Sequence, residues 1–319
     1  MKILGTGSAL PEKVVTNDDL ARVMDTSDEW IRTRTGIQKR HIAVNETTTS
    51  MAVEAAKKAL EEAKISIDDL DLIIAATVSP DYIFPTLACE VQAAVGAKNA
   101  TAFDLGAGCS GFLFALATAD AYFKTGRYKN ALIIGAETLS KMMDWGDRST
   151  CVLFGDGAGA AVVSAQGEQL LSMVQGSDGS GGMALKCDNR PVNNLYHQMG
   201  AQQYSFTQME GSAVYKFAVR TVPHAISEAL EKAGVPVDDV KLFVLHQANL
   251  RIIESVAKRL RQPMEKFPTN LEECGNISAA SVPILLDKVR KDGMISKGDK
   301  IVMAGFGAGL TWGACVIEW

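Results

Sequence analysis

Cys109 stands in the run Thr101-Ala102-Phe103-Asp104-Leu105-Gly106-Ala107-Gly108-Cys109-Ser110-Gly111-Phe112, where a β-prone apolar segment meets a glycine-rich turn. A helical pattern follows it at Phe112, Ala115, Leu116, Ala119, Tyr122 and Phe123. This order puts the sulfur at a helix N-terminus, where unpaired N–H groups and the macrodipole favour a thiolate and lower the thiol pKa. Glycines beside it allow a sharp turn and a close approach of backbone to substrate. A buried structural cysteine, behaving as a small hydrophobe, is the plainer alternative.

Other candidate groups lie far away in sequence. His246, in Leu245-His246-Gln247-Ala248-Asn249-Leu250-Arg251, has the best setting of the four histidines (41, 197, 224 and 246), because a buried strand gives way to a helix there. A hydrogen-bonded core histidine explains it equally well when it is taken alone. Asn276, in Cys274-Gly275-Asn276-Ile277-Ser278-Ala279-Ala280-Ser281, follows another glycine turn, and capping or turn formation accounts for it without chemistry. The run Gly305-Phe306-Gly307-Ala308-Gly309-Leu310-Thr311-Trp312-Gly313 follows a strand. Its glycines either aim N–H groups at a developing oxyanion or let a hairpin pack closely. Neither this run nor Leu153–Gly159 has the strand-to-helix setting of a dinucleotide site.

The elements that must position these residues come in two similar sets. Residues 59–74 (ALEEAKISIDDLDLII) and 229–244 (ALEKAGVPVDDVKLFV) share a plan: amphipathic helix, short loop with an Asp-Asp pair, buried strand. Residues 131–136 correspond more loosely to 300–305. Two α/β halves with mixed sheets are therefore expected, dividing near 165–175, with residues 1–170 carrying Cys109 and 171–319 carrying His246 and Asn276. Sites in such sheets gather beyond the carboxyl ends of strands, where Cys109 and His246 both fall. Ser177–Gln208, rich in Gly, Asn and Gln, reads as a long irregular excursion of the kind used for lids and binding loops.

Composition narrows the field. The chain is 47% apolar and 22% charged, ordinary for a globular protein with a sizeable core. Its net charge of -5 gives no basic field for nucleic acid, and no apolar run is long enough to span a bilayer. The six cysteines lack paired spacing, so neither a zinc site nor a disulfide framework is indicated, and a cytoplasmic protein with reduced thiols is expected.

Taken together, the motifs resemble the β-ketoacyl-acyl carrier protein (ACP) synthase III family, condensing enzymes of the thiolase superfamily. The likeness covers essentially the whole chain. It rests on Thr26-Ser27-Asp28-Glu29-Trp30-Ile31, Arg34-Thr35-Gly36-Ile37, Gly108–Phe112, Phe154–Gly159, His246-Gln247-Ala248-Asn249, Gly275-Asn276 and Gly307–Gly313. One departure is Ile277, where many relatives have Thr. The resemblance implies a five-layered αβαβα thiolase-like fold of two duplicated halves and a Cys109-His246-Asn276 catalytic set.

The activity implied is a decarboxylative Claisen condensation that initiates type II fatty acid synthesis. A short acyl-coenzyme A (acyl-CoA) primer acylates Cys109, and malonyl-ACP then extends it to a β-ketoacyl-ACP. Backbone N–H groups of Cys109 and the Gly307/Ala308 turn are expected to hold the oxyanion, and Phe306 to favour loss of the carboxylate. By the same resemblance Trp30 and Arg148 sandwich the CoA adenine, with Thr26, Arg34 and Asn249 along the rest of the molecule. Lys216, Gln247, Arg251, Lys258 and Arg259 are expected to dock the acidic ACP. Phe84 is expected to cross a homodimer interface into the acyl pocket. No metal or cofactor is implied. Three rivals stand: a condensing enzyme of specialised metabolism using other acyl or extender units, a Cys-His-Asn hydrolase, and a non-catalytic acyl-CoA or ACP binding protein on the same scaffold, against which the intact Cys109-His246-Asn276 set argues. The second lacks the local Cys-Gly-Ser-Cys-Trp signature and has its cysteine too deep in the chain.

Overall fold

The computed structural model describes residues 1–167, 169–197 and 205–319. The expected irregular excursion at 177–208 therefore falls partly, at 198–204, outside the described residues. Strands are β1 (Lys2–Ala9), β2 (Val14–Thr16), β3 (Lys39–His41), β4 (Leu72–Ala76), β5 (Thr101–Leu105), β6 (Asn130–Thr138), β7 (Asp156–Ser164), β8 (Leu170–Ser177), β9 (Leu185–Lys186), β10 (Gln208–Met209), β11 (Val240–Leu245), β12 (Lys300–Gly307) and β13 (Thr311–Glu318). Helices are α1 (Asn17–Ala21), α2 (Asp28–Thr35), α3 (Thr48–Ala63), α4 (Leu87–Val95), α5 (Gly111–Lys124), α6 (Gly211–Ala233), α7 (Leu250–Leu260), α8 (Leu271–Cys274) and α9 (Ser281–Lys291).

Each element follows from its local pattern. In α3 a Thr47/Ser50 capping box starts the helix, and Met51, Ala52, Ala55, Ala56 and Ala59 form one buried stripe. In β4 every residue is buried. Leu72 and Ile74 face one core and Ile73 and Ala75 another, as a period of two requires for a strand covered on both sides.

The first sheet runs β1-β7-β6-β4-β5, and the second β8-β13-β12-β11. In each, a parallel pair (β4 with β6, β11 with β12) continues into an antiparallel strand (β7, β13) and then a further antiparallel strand (β1, β8). Both Asp-Asp pairs sit in a 3-10 turn immediately before β4 or β11. The chain crosses from one sheet to the other between Ser164 and Leu170.

Five layers result. Helices α3 and α4 cover the outer face of the first sheet, α6 and α7 that of the second, and α5 and α9 lie between the sheets. The sheets are tightly interlocked. A Cβ on Gly135 of β6 would lie 2.2 Å from the carbonyl oxygen of Ala279, so only glycine lets the 278–280 turn sit there.

Candidate active site

Strand β5 ends at Leu105, the chain makes a 3-10 turn at Gly108–Ser110, and α5 begins at Gly111, so Cys109 does lie at a helix N-terminus. The β12–β13 hairpin lies directly against it. A Cβ on Gly307 would come 2.8 Å from both the nitrogen and Cβ of Cys109, and 3.0 Å from its sulfur. The glycine run is therefore a hairpin whose close approach belongs to the site, so the two sequence alternatives are one arrangement. Thr311 fastens it, its Oγ1 donating toward the Ala107 and Ala308 carbonyls and lying 2.6 Å from Ser110 Oγ.

One expectation fails. Burial pushes the Cys109 thiol up to about 12, outweighing the opposing contributions of the Ser278 side chain and the Cys109 and Ala308 N–H groups. At neutral pH the resting thiol is protonated. The helix terminus can favour the thiolate, but removing the sulfur from water costs the charged form more.

His246 follows β11. Its N–H donates to the Ala304 carbonyl at 2.8 Å, and its Nδ1 lies 2.6 Å from Ser281 Oγ. Ser281 Oγ is also 2.8 Å from the Ser278 carbonyl. Burial pushes His246 down to about 3, so the imidazole is neutral. The Phe306 ring meets it edge-on with centroids 5.2 Å apart. Asn276 is held by its backbone to Leu153 and Gly155 at 2.8 and 3.0 Å. Its Oδ1 accepts from the Ser278 N–H at 2.8 Å, leaving Nδ2 as the donor.

Cys109, His246, Asn276, Phe306 and Gly307 line a single cavity of about 150 Å³ that extends to Asn249 and Tyr215. A second cavity of about 210 Å³ also opens on Cys109 and is walled mainly by apolar side chains, among them Leu139, Met142, Met143 and Phe154. Ala308 borders that second cavity.

The other expected residues divide. Trp30 sits on α2 with the Arg34 and Arg148 guanidinium carbons 4.7 and 5.1 Å from its ring centroid. Arg148 therefore stacks on Trp30 itself, and an adenine can lie between them only if Arg148 moves off the ring. Arg148 is further tied to Asp25. Thr26 Oγ1 is buried without a hydrogen-bond partner among the described residues. Asn249 caps α7 through the Arg251 N–H and donates to the Arg34 carbonyl at 3.1 Å, joining α7 to α2.

Lys216 on α6 and Arg251, Lys258 and Arg259 on α7 are exposed; Arg251 also donates to the Thr33 carbonyl at 2.8 Å. Gln247 is different and corrects the docking set. It is fully buried, donating to the Leu245 carbonyl and accepting from the Asn270 N–H, so it cannot meet a partner protein. Phe84 is 83% exposed and borders neither Cys109 cavity, lining instead a groove of about 580 Å³ with Tyr82 and Ile83.

Sequence reasoning missed Ser281, which contacts His246, Ser278, which shares a cavity with Cys109, and the buried carboxylate of Glu137. One signal was available, since Glu137 is a carboxylate closing the otherwise apolar run 131–136.

Comparisons with known proteins agree with this geometry. A family model for 3-oxoacyl-[acyl-carrier-protein] synthase III matches residues 103–179, and the model for its C-terminal region matches 230–319. The chain is 47% identical over 320 residues to the β-ketoacyl-[acyl-carrier-protein] synthase III of Clostridium acetobutylicum, covering 100% of this chain and 98% of that one. The crystal structure of 3-oxoacyl-[acyl-carrier-protein] synthase III from Aquifex aeolicus superposes with a TM-score of 0.93 at 48% identity, covering 100% and 99%. The priming β-ketosynthase of the R1128 polyketide pathway gives 0.93 at 37% identity, covering 99% and 95%. The chain belongs to the 3-oxoacyl-[acyl-carrier-protein] synthase III family and has its thiolase-like fold.

Proposed function

We propose that this protein condenses a short acyl-CoA with malonyl-ACP to give a β-ketoacyl-ACP, initiating type II fatty acid synthesis through an acyl-Cys109 intermediate. The observation that carries the reading is the meeting of two cavities at Cys109. The apolar one suits an acyl chain, and the other brings His246 and Asn276 to the thioester formed there.

In the first half-reaction Cys109 attacks the acyl-CoA carbonyl, and the N–H groups of Cys109 and Ala308 stabilise the tetrahedral oxyanion. In the second, malonyl-ACP loses carbon dioxide while Asn276 Nδ2 and His246 Nε2 donate to the enolate oxygen. That donor role needs the His246 tautomer protonated on Nε2, in which the single Ser281 hydroxyl proton turns from the Ser278 carbonyl to Nδ1. The Phe306 edge beside His246 offers an apolar surface that disfavours the malonyl carboxylate. The carbanion attacks acyl-Cys109, and the product leaves.

CoA approaches over Trp30, Arg34 and Asn249 once Arg148 swings from the indole, and no metal or cofactor takes part. Exposed Lys216, Arg251, Lys258 and Arg259 supply cations for an acidic carrier protein. The homodimer reading draws on β5, which pairs only with β4 among the described residues, and on exposed Tyr82, Ile83 and Phe84. The division into halves at about residue 170 stands as part of the same proposal.

The test is labelling. The enzyme is incubated with radiolabelled acetyl-CoA, isobutyryl-CoA and longer acyl-CoAs, and the label is located by peptide mapping. Thioester-labile label on Cys109 is expected with at least one primer, and its absence with all of them overturns the reading. The primer accepted also separates fatty acid initiation from a specialised pathway.

A further inference from the structure

Arg40 is a buried guanidinium that the mechanism above leaves unused. It lies on β3 with no exposed surface, and among the described residues it has no carboxylate partner. Its hydrogen bonds go to neutral oxygens instead. Nη1 donates to the Val15 carbonyl at 3.2 Å and to Asn17 Oδ1 at 2.9 Å, and Nη2 donates to the Val152 carbonyl at 2.7 Å. Nε has no partner among the described residues. Burial pushes the guanidinium down to about 10, which leaves it a cation at neutral pH. Burying an unpaired charge is unfavourable, and an apolar side chain would fill the same space without that penalty.

The acceptors of this one group belong to two different parts of the site. On the Nη1 side, Asn17 Nδ2 donates to Asp28 Oδ1 at 2.9 Å and to the Ile37 carbonyl at 2.8 Å. Asp28 opens α2, the helix that carries Trp30 and Arg34. On the Nη2 side, Val152 leads straight into Leu153 and Phe154, which line the cavity shared by Cys109, His246 and Asn276. The same segment is bridged to the Asn276 backbone: the Asn276 N–H donates to the Leu153 carbonyl at 2.8 Å, and the Gly155 N–H donates to the Asn276 carbonyl at 3.0 Å. Arg40 also underlies that bridge with its stem. A Cβ on Gly155 or Gly275 would lie 3.3 or 3.4 Å from the Arg40 Cβ.

We propose that Arg40 is a positioning residue whose guanidinium fork fixes the Val152–Gly155 segment, and through it the Asn276 Nδ2 that donates to the enolate. The inference rests on Asn276 acting in the decarboxylation proposed above. Arg40 touches neither substrate nor reacting atoms. Its acceptors explain its chemistry. Two of them are backbone carbonyls, so the bonds hold the chain itself and not a side chain free to turn. They lie on opposite prongs of the fork, so one planar group spans both. A lysine keeps the charge but brings a single nitrogen, which cannot serve both sides. Because Asn276 Oδ1 is occupied by the Ser278 N–H, the direction of Nδ2 follows from where this backbone sits.

Arg40→Met and Arg40→Lys are made in the full-length enzyme, alone and together with Asn276→Ala. Each single Arg40 change is expected to lower kcat for malonyl-ACP decarboxylation by about 10–30-fold with KM unchanged, and acyl-Cys109 formation by less than about threefold. In the Asn276→Ala background the same changes are expected to add nothing further, because their effect passes through that side chain. Losses that multiply in the double variants, or equal losses in both half-reactions, overturn the proposal, since a general structural role produces them. Wild-type decarboxylation in Arg40→Lys overturns it too, because charge without the fork then suffices. Arg40→Lys retains the cation and carries the test if Arg40→Met does not fold.

Hydrogen exchange supplies a readout that needs no turnover. Protection of the Gly155 and Asn276 N–H groups is expected to fall at least about tenfold in the Arg40 variants, while the amides of β4 keep theirs. Unchanged protection at those two positions, or an equal loss at β4, overturns the proposal. If the wild-type enzyme does not decarboxylate malonyl-ACP, the condensation reading fails, and the exchange pattern still decides whether Arg40 holds Asn276 in place.

Discussion

The two halves place equivalent strands in equivalent order but finish the plan differently. In the first, a fifth strand, β5, extends the sheet and delivers Cys109 to the start of α5. In the second, the sheet stops at β11, and irregular backbone after α8 delivers Asn276 to the 3-10 turn before α9. Both central helices are thus entered through a 3-10 turn; the first carries Cys109, and Asn276 lies just before the second. The extra strand makes the difference. It lets one half present a nucleophile at a helix N-terminus, while the other half presents hydrogen-bond donors from β11 and the Asn276 loop. On the proposed mechanism, the duplicated scaffold divides covalent chemistry from charge stabilisation.

That division can be broken by substitution. Replacing His246 or Asn276 by Ala is expected to cut malonyl-ACP decarboxylation by about 10²–10³-fold while lowering Cys109 acylation less than tenfold. Carbon dioxide release and acyl-enzyme formation, measured separately, check this, and equal losses in both would erase the assignment of roles to the two halves. A smaller effect is expected at the seam between them. Gly307→Ala forces a methyl against Cys109, so acylation should fall about 10-fold to 10²-fold as the nucleophile shifts, with decarboxylation following less steeply. Stopped-flow release of CoA reads the first step, and an unchanged burst would mean that the hairpin does not position the thiol.

The smallest effects lie on the second half's surface, where Lys258 and Gln247 are expected to part company. Lys258→Glu should raise the KM for malonyl-ACP a few-fold, an effect fading with added salt. Gln247→Ala should leave that salt dependence alone and cost about 1–3 kcal/mol of stability, because the Asn270 N–H loses its acceptor. Denaturant midpoints and KM against ionic strength separate the two.

Much of the architecture was legible because it depends on local periodicity. Residues 59–74 and 229–244 show their helix, Asp-Asp turn and strand directly, and the Gly108-Cys109-Ser110 turn announces a strand entering a helix. Gln247 was misread because its neighbours His246 and Asn249 border the cavity while its own side chain turns into the core toward Asn270. Charge and polarity along a sequence do not say which way a side chain points. Arg148 shows the same gap: its nearness to Trp30 could be expected, but not that it stacks on the indole itself.

By itself the sequence determined the duplicated α/β plan and the identity of Cys109, His246 and Asn276 as the groups to watch, because both are written in local pattern and motif. Tertiary structure alone decided the protonation of the site. Only folding buries Cys109 deeply enough to hold its thiol near 12 and His246 near 3. Only folding brings Ser278 and Gly307, distant in the chain, to the cavity walls beside Cys109. Desolvation and close approach are properties of the packed whole, and no run of residues carries them.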